Sequence, residues 1–297
     1  MAAAERSFTV LVLAGRRGAA DALADALARS DASGHHALLD VAGVPMLLRV
    51  VRALQRAPSV GRIVISIDDP AALDAVPELR AALLDGSLSC RTARDSPSRS
   101  VLDALSQAAP GEVVAVVTAD HPLLTPEMFE HFAASAVDGD DVLVALVPAA
   151  VIRAAYPESR RTYLRLREDG YSGANLFAFL TPRAQRAAEF WQRAEQFRKQ
   201  PWRLVASFGP LSLLLFLTRR IDLEGAFERV SRAMGVRVRA VRMPWAEAAI
   251  DVDRPADLGL VCRVLAERAR EAEQRSGSSP PHSTRSPSAT KRRLSGS

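Results

Sequence analysis

The chain has 297 residues, of which 48% are hydrophobic and 25% charged, a balance that indicates one large α/β domain or two small ones and excludes a disordered chain. The formal net charge is +5, but the residues from Ser276 onward carry four basic and no acidic side chains. The preceding body therefore carries a charge of about +1, which argues against nucleic acid as a partner.

Predicted strands and helices alternate in the first half of the chain. An unbroken apolar run over residues 8–14 predicts a buried strand, and the alanine-rich residues 16–34 predict a mobile loop or a short helix. Further strands are predicted over residues 62–67 and from Val113 to Asp120, and helices over residues 45–54, 71–84, 96–105 and from Thr125. This alternation predicts right-handed crossovers and a largely parallel sheet.

The second half is less regular. The predicted elements are a strand over residues 142–147, a stretch without a helical stripe over 151–170, a strand over 171–179, two or three helices within 183–235, a half-exposed strand over 237–243 and a last helix to about 274. Residues 275–297 are rich in Ser, Pro and Arg, cannot bury a core and predict a disordered tail.

Cysteine usage and the apolar runs bear on location. Cys90 and Cys262 lie in apolar settings that suit buried thiols, which argues against a disulfide framework or a zinc site and favours a reducing compartment. The first residues lack a basic region followed by an apolar run of signal-peptide type. The longest apolar run, residues 211–217, is far shorter than the roughly 20 residues that span a bilayer. We therefore expect a cytoplasmic protein.

Three features lie where a parallel sheet places a ligand site: the loop after the first strand, Asp120 at a strand end, and Asp251 with Asp253 at the last strand-to-helix junction. Carboxylates that converge through the fold suit Mg²⁺, which prefers oxygen ligands. The alternative is that Asp120 and Asp253 cap helices or face their N-termini, a common use of Asp ahead of Pro.

Four segments together resemble the MobA-like nucleotidyltransferase family: residues 13–15, 37–50, 118–127 and 250–258. This family includes the molybdenum-cofactor guanylyltransferases, with cytidylyl- and sugar-nucleotide transferases as relatives. The resemblance implies an α/β fold of the GT-A, Rossmann-like type, in which a mostly parallel sheet lies between two helical layers. It implies one NTP transferase domain over residues 1–274, with residues 183–235 as a helical insertion.

The resemblance also implies roles for single residues. It implies that Asp120 holds Mg²⁺ and that Asp253, with Asp251 as the alternate, completes the metal site. It assigns contacts with the nucleotide and the acceptor to Leu13, Ala14, Gly15, Gly18, His36, Ser100, Gly173 and Asn175. Other roles fit some of these residues equally, since Ser100 is suited to capping a helix and Gly173 to a bulge in a strand.

The chain departs from the family pattern at the first loop. Arg16 stands where the family has a second glycine, and His36 stands where it has a lysine, so a fixed positive charge is missing at that position. Arg16 or Arg17 is suited to replace this charge, because a guanidinium binds phosphate through two hydrogen bonds. The alternative is that both arginines are solvated loop charges.

We expect a Mg²⁺-dependent nucleotidyltransferase of the guanylyl or cytidylyl type, monomeric or homodimeric, that moves an NMP group from an NTP to a small phosphorylated acceptor and releases pyrophosphate. In this reaction Arg16, Arg17 and Asp120 stabilise the transferring group. A second hypothesis, motivated by Arg16 and His36, is a non-catalytic nucleotide-binding or regulatory protein derived from the same fold.

A third idea concerns membranes. Residues 183–235 combine aromatic side chains with arginines and a leucine-rich run, a mixture also found in helices that lie on membrane surfaces. The aromatic residues include Trp191, Phe197, Trp202 and Phe208. We favour packing in the core or in a dimer interface over membrane association, since large apolar side chains are usually buried.

Overall fold

In the computed structural model, residues 6–15, 35–159, 161–195, 218 and 220–277 are described. The strands are β1 (Phe8–Leu13), β2 (Asp40–Val41), β3 (Val44–Pro45), β4 (Val60–Ile67), β5 (Leu88–Thr92), β6 (Val113–Thr118), β7 (Val142–Pro148), β8 (Leu164–Arg165), β9 (Gly170–Phe179) and β10 (Val238–Arg242). The α-helices are α1 (Met46–Gln55), α2 (Pro77–Leu84), α3 (Pro97–Ser106), α4 (Pro126–Ala134), α5 (Ala149–Ala155), α6 (Gln185–Glu195), α7 (Leu223–Met234) and α8 (Pro255–Gly277).

Among the described residues, eight strands form one mixed sheet. Seven of them follow the order β10-β7-β9-β6-β1-β4-β5, and β8 pairs with β9 at one side. β1 lies between β4 and β6 and is parallel to both, whereas β9 is antiparallel to its neighbours β6 and β7. β2 and β3 form a separate antiparallel ribbon. The predicted α/β, Rossmann-like and mostly parallel sheet is confirmed.

Helices cover both faces of the sheet, because the alternating side chains of the buried strands are apolar on both sides. Val10 and Val12 of β1 pack in a core that includes residues of α1 and α4. Leu11, which points the other way, packs in a second core with residues of α3 and α6. The result is three layers, with the sheet in the middle.

A third apolar cluster seats the segment that precedes the last helix. Ile250 and Val252 are fully buried beside Met46 of α1 and Val261 of α8. The backbone N–H of Val252 also donates to the carbonyl of Asp120 at 2.9 Å. This packing fixes the segment over residues 250–253 at the end of β6, which is the part of the fold that matters for the site.

Local chemistry overturns three expectations. The predicted helix over residues 71–84 is interrupted: a 3-10 turn covers Pro70–Ala75, and α2 starts at Pro77, which lacks the N–H needed to continue a helix. The residues around Cys90 form the edge strand β5, so Cys90 is exposed rather than buried. The stretch after residue 150 begins with the short helix α5, although its sequence shows no helical stripe.

The predicted insertion is described in part. α6 and α7 lie within it. The ring centroids of Trp191 on α6 and Phe177 on β9 are 5.4 Å apart, which agrees with packing of Trp191 against the sheet. Phe197, Trp202, Phe208, the run over residues 211–217, the loop over residues 16–34 and the tail from residue 278 lie outside the described residues. Within the described part, none of the helices has the length and apolar character that crossing a bilayer requires.

Candidate active site

The C-terminal ends of three neighbouring parallel strands form the floor of a cleft. In the sheet register, Leu13 at the end of β1 lies between Ser66 on β4 and Thr118 on β6. Residues at one register level on neighbouring strands point to the same face, so these three side chains form a row. The backbone continues past the row, with the N–H of Ala14 donating to the carbonyl of Ser66 at 2.8 Å.

A cleft that opens to solvent lies above this row. Six residues assigned from the family resemblance line it together: Leu13, Ala14, Gly15, His36, Ser100 and Asp120. The first turn of α3 forms the opposite wall, through Ser96 and Pro97. The cleft therefore lies between the strand ends and the N-terminus of a helix, where backbone N–H groups and the helix dipole favour an anion.

Two hydroxyl groups in the cleft were missed from the sequence. Ser66 is 1% exposed, and neither its Oγ nor the buried Oγ1 of Thr118 makes a hydrogen bond within the part of the chain that the structure describes. Buried hydroxyls usually have partners, so two such groups in one cleft indicate a ligand. A Ser or Thr at the end of an apolar strand is too common a pattern to reveal this from the sequence.

Gly15 allows a close approach of two backbone segments. A Cβ atom at this position would lie 2.9 Å from the Cβ of Ala93, closer than two carbon atoms can pack. Ala93 is itself held beside β4, because its N–H donates to the carbonyl of Ile67 at 2.8 Å. The absence of a side chain at Gly15 thus lets the first loop pass beside the segment that leads into α3.

Ser100 lines the cleft but does not cap the helix. The N-cap of α3 is Ser96, whose hydroxyl accepts from the N–H of Arg99, so the capping alternative for Ser100 is wrong. Ser100 lies in the first turns of the helix and its Oγ accepts from the N–H of Arg94 at 2.9 Å. This bond folds the segment over residues 93–96 across the helix N-terminus and shapes the cleft wall.

The adjacent histidines differ in their surroundings. His36 lines the cleft, whereas His35 is buried, with its Nε2 at 2.9 Å from Oδ1 of Asp68. The Nδ1 of His35 accepts from the N–H of Ala37, so Nε2 carries the hydrogen that is donated to Asp68. His35 thus anchors the segment that places His36 in the cleft wall.

Three carboxylates meet at the edge of the cleft. One oxygen from each of Asp120, Asp251 and Asp253 lies within 4.8 Å of the others, and Asp120 also lines the cleft. The structure therefore brings Asp120 together with Asp251 and Asp253, which follow it in the sequence by more than 130 residues. Oxygen donors at this spacing match the preference of Mg²⁺ for carboxylate ligands.

Neighbouring groups support this cluster from below. His121 is buried, and burial lowers the pKa of its imidazole below the ordinary value. Its Nε2 lies 3.2 Å from the carbonyl of Glu247, whose carboxylate accepts from the hydroxyl of Tyr156 at 2.7 Å. Burial, followed by this hydrogen bond, raises the pKa of Tyr156. Through these hydrogen bonds, His121 and Tyr156 hold the turn before Asp251 against the end of β6.

Gly173 and Asn175 lie on β9, beside the carboxylates. The pairing of β7 with β9 shifts register between Val144 and Leu146, so β9 bulges over this stretch. Asn175 has a φ of +48°, and its Nδ2 donates to Oδ2 of Asp251 at 3.0 Å. Gly173 is exposed, and a Cβ there would meet nothing within 4 Å, so packing does not require glycine at this position.

Arg161 is a site residue for which the sequence gives no signal. Its Nη1 pairs with Oδ1 of Asp251, and its Nη2 donates to the backbone carbonyl of the same residue at 3.0 Å. It lies between α5 and β8, in a stretch with many arginines, so the sequence does not distinguish it from arginines on the surface. Arg16, Arg17 and Gly18 lie outside the described residues, so their assigned roles remain predictions.

Comparisons with known proteins agree with the observed fold. A family model for the MobA-like NTP transferase domain matches residues 10–188. Among curated proteins, none matches the chain. A solved structure described as a hypothetical transferase from Thermus thermophilus is 29% identical, with a TM-score of 0.69 over 85% of this chain and 99% of its own.

Two more distant structures share the fold. A CMP:2-keto-3-deoxy-manno-octonic acid synthetase complexed with CTP is 14% identical, with a TM-score of 0.51 over 88% of this chain and 99% of its own. A 4-diphosphocytidyl-2C-methyl-D-erythritol synthase from Anaerococcus prevotii is 11% identical, with a TM-score of 0.53 over 88% of this chain and 97% of its own.

Proposed function

Since the chain belongs to the MobA-like NTP transferase family, we propose that it is a nucleotidyltransferase that moves an NMP group from an NTP to a small phosphorylated acceptor. One observation carries the proposal. The cleft at the strand ends and the three-carboxylate cluster share a residue, Asp120, so a nucleotide in the cleft would place its phosphates against the carboxylates. Nothing else in the described residues brings an anion-favouring helix terminus and three acidic side chains together in this way.

In the proposed reaction a phosphate oxygen of the acceptor attacks the α-phosphorus of the NTP. The bond between that phosphorus and the bridging oxygen to the β-phosphate breaks, and pyrophosphate leaves with the bonding electrons. Such transfers depend on positioning and charge stabilisation rather than on covalent steps by the protein. The cleft backbone and the N-terminus of α3 would orient the triphosphate, and Arg16 or Arg17 would contribute positive charge.

The carboxylates fit a Mg²⁺ ion, which we assign to Asp120 and Asp253, with Asp251 as the alternate ligand. When bound, the ion supplies positive charge that offsets charge on the transferring phosphates. Asn175 donates to Asp251 of this cluster, and Gly173 lies two residues before it on β9 with an exposed backbone. We therefore propose that this part of β9 faces the acceptor.

The test is pyrophosphate release, measured with each of the four NTPs against a panel of phosphorylated alcohols, sugars and cofactor precursors, with and without Mg²⁺. We expect Mg²⁺-dependent release with one base, guanine or cytosine, and its loss in Asp120→Ala. Asp138→Ala is the matched control, because Asp138 is exposed, pairs with Arg6 and does not line the cleft. Tight NTP binding without turnover on any acceptor would instead support the non-catalytic, nucleotide-binding alternative.

The proposal extends to where the protein acts. A cytoplasmic location fits a reaction that consumes NTPs, and a monomer or homodimer is sufficient for a cleft built within one chain. Flotation of the protein with anionic liposomes would test association with a membrane surface, for which we expect a negative result.

A further inference from the structure

The cleft has little positive charge of its own. Among the described residues that line it, Arg94 alone carries a permanent positive charge. The family has a lysine where this chain has His36, so the fixed charge of that lysine is missing from the described wall. A triphosphate brings several negative charges into the cleft, and guanidinium groups are well suited to bind them. The surroundings of Arg94 therefore bear directly on nucleotide binding.

The backbone of Arg94 is fixed at the cleft wall. Its N–H donates to Oγ of Ser100 at 2.9 Å, and the N–H of the preceding residue, Ala93, donates to the carbonyl of Ile67 at 2.8 Å. These two bonds attach the segment to α3 on one side and to β4 on the other. A change of partner for the Arg94 guanidinium thus requires only rotation of its side chain.

The guanidinium of Arg94 is exposed and is held at one nitrogen. Within the part of the chain that the structure describes, its hydrogen bonding consists of Nη2 donating to Oδ1 of Asp103 at 2.7 Å. The side chain is 56% exposed. A planar guanidinium has five N–H donors and can donate two parallel hydrogen bonds to one phosphate. Arg94 therefore keeps donors for an anionic ligand.

Asp103 has a second partner besides Arg94. Its Oδ2 is paired with Nη2 of Arg91 on β5, which is 20% exposed. If Arg94 turned to a ligand, Asp103 would keep Arg91, so this largely buried carboxylate would not lose its counter-charge. The neighbouring Asp95 is paired with Arg99. These ion pairs combine three guanidiniums with two carboxylates, which leaves one positive charge in excess beside the cleft.

We propose that Arg94 binds the phosphates of the NTP, exchanging its hydrogen bond to Asp103 for bonds to phosphate oxygens while Ser100 fixes its backbone and Arg91 compensates Asp103. This inference rests on the proposed function, to which it adds a nucleotide-binding residue. Arg94 lies outside the four segments that carry the family resemblance, so its role comes from its place in the cleft wall and from its ion pairs.

The experiment measures the dissociation constants of ATP, GTP, CTP and UTP in the presence of Mg²⁺ by calorimetric titration of the full chain. In Arg94→Gln we expect the NTP that the wild type binds best to bind about tenfold more weakly, because charge-assisted hydrogen bonds to phosphate are lost. Arg94→Lys keeps the charge without the planar pair of donors, so we expect an affinity about threefold weaker than that of the wild type.

Arg99→Gln is the matched control. Arg99 is 54% exposed and is paired with an aspartate, Asp95, as Arg94 is paired with Asp103, but it does not line the cleft. Its replacement removes one positive charge from the same segment and should leave the NTP affinity unchanged. An equal loss of affinity in Arg99→Gln and Arg94→Gln would reduce the effect to the general charge of the segment and would overturn the inference.

Asp103→Asn separates phosphate binding from a purely structural role of Arg94. If Arg94 binds the phosphates, loss of the competing carboxylate should leave the affinity unchanged or raise it by up to about threefold. If Arg94 only ties the cleft wall to α3, Asp103→Asn should weaken NTP binding as much as Arg94→Gln does. A weaker affinity in Asp103→Asn therefore overturns the inference, as does an unchanged affinity in Arg94→Gln.

Failure of this inference is distinguishable from failure of the proposed function. If none of the four NTPs binds the wild type, the proposed substrate is wrong and the role of Arg94 is wrong with it. If the wild type and Arg94→Gln bind an NTP equally well, only the inference is wrong. Circular dichroism checks that each variant is folded. If Arg94→Gln did not fold, Arg94→Lys would replace it, and an affinity equal to that of the wild type would overturn the inference.

Discussion

Replacing Ser66 by alanine should make the protein more stable and its nucleotide binding weaker. The Ser66 hydroxyl is buried and makes no hydrogen bond within the described residues. A buried hydroxyl without a partner costs about 1–3 kcal/mol relative to its solvated state. Removing it should raise the free energy of unfolding by about 1 kcal/mol after the loss of packing contacts, which is about 2–4 °C in melting temperature for a domain of this size.

The effect on the nucleotide has the opposite sign. If Ser66 hydrogen-bonds the bound NTP, the variant loses about 1 kcal/mol of binding free energy, a roughly fivefold weaker affinity. Thermal unfolding without ligand and calorimetric titration with the preferred NTP measure the two quantities. Ser98→Ala is the matched control, because this fully buried serine donates to Glu195 at 2.6 Å and does not line the cleft. It should lose stability and keep its NTP affinity. A Ser66→Ala protein that is no more stable and binds NTP as well as the wild type would refute the reasoning.

Three further substitutions test other parts of the structure. Gly15→Ala should lower the free energy of unfolding by about 1–3 kcal/mol and weaken NTP binding. Adding Ala93→Gly should restore both quantities, because it removes the atom that the new Cβ would meet at 2.9 Å. Melting and titration experiments measure the two quantities. Gly173→Ala should leave the melting temperature unchanged, because its Cβ would enter open space. A higher KM for the acceptor in this variant would therefore indicate contact with the substrate. An unchanged KM would count against the proposal that β9 faces the acceptor. Asp141→Asn should lower the free energy of unfolding by about 1–3 kcal/mol at neutral pH, because an amide accepts through one oxygen only, whereas the carboxylate accepts from both Thr181 and the N–H of Arg237. Burial raises the pKa of the Asp141 carboxyl, but its hydrogen bonds outweigh burial and hold the pKa below the ordinary value. The stability that the carboxylate contributes is therefore present above pH 3.8 and is lost as the pH falls through the lowered pKa. If the free energy of unfolding of the variant and of the wild type, measured between pH 2 and 7, changed with pH in the same way, the result would contradict this.

The parts of the fold that follow from local patterns were predictable. The apolar runs of β1 and β6 are buried on both faces, and only a parallel sheet covered by helices explains such runs. The edge strand β5 is not predictable from an apolar run, because exposed residues alternate along it. The helix predicted over residues 71–84 starts later, at Pro77, because proline favours the first position of a helix. The antiparallel position of β9 depends on which strand it meets in the sheet, and a single strand sequence does not contain that information.

The same distinction applies to the site. Asp120, Asp251 and Asp253 were predictable because each lies at the end of a recognisable element, and the family resemblance implies that they share a metal site. Arg161 and Ser66 were not, because their chemistry depends on what surrounds them in space. An arginine in a connection between a helix and a strand is usually solvated, and only its burial against Asp251 distinguishes Arg161.

Several features that cost folding free energy lie around the cleft. The hydroxyls of Ser66 and Thr118 make no hydrogen bond within the described residues, and Asn175, which donates to Asp251, has a left-handed backbone. A hydrogen bond not made and a left-handed non-glycine residue each cost free energy in the folded chain. A ligand that supplies hydrogen bonds and positive charge there binds only the folded state, and so stabilises it in proportion to RT ln(1 + [L]/Kd). The nucleoside triphosphate and metal ion of the proposed function would supply both, so their binding should raise the melting temperature of the protein.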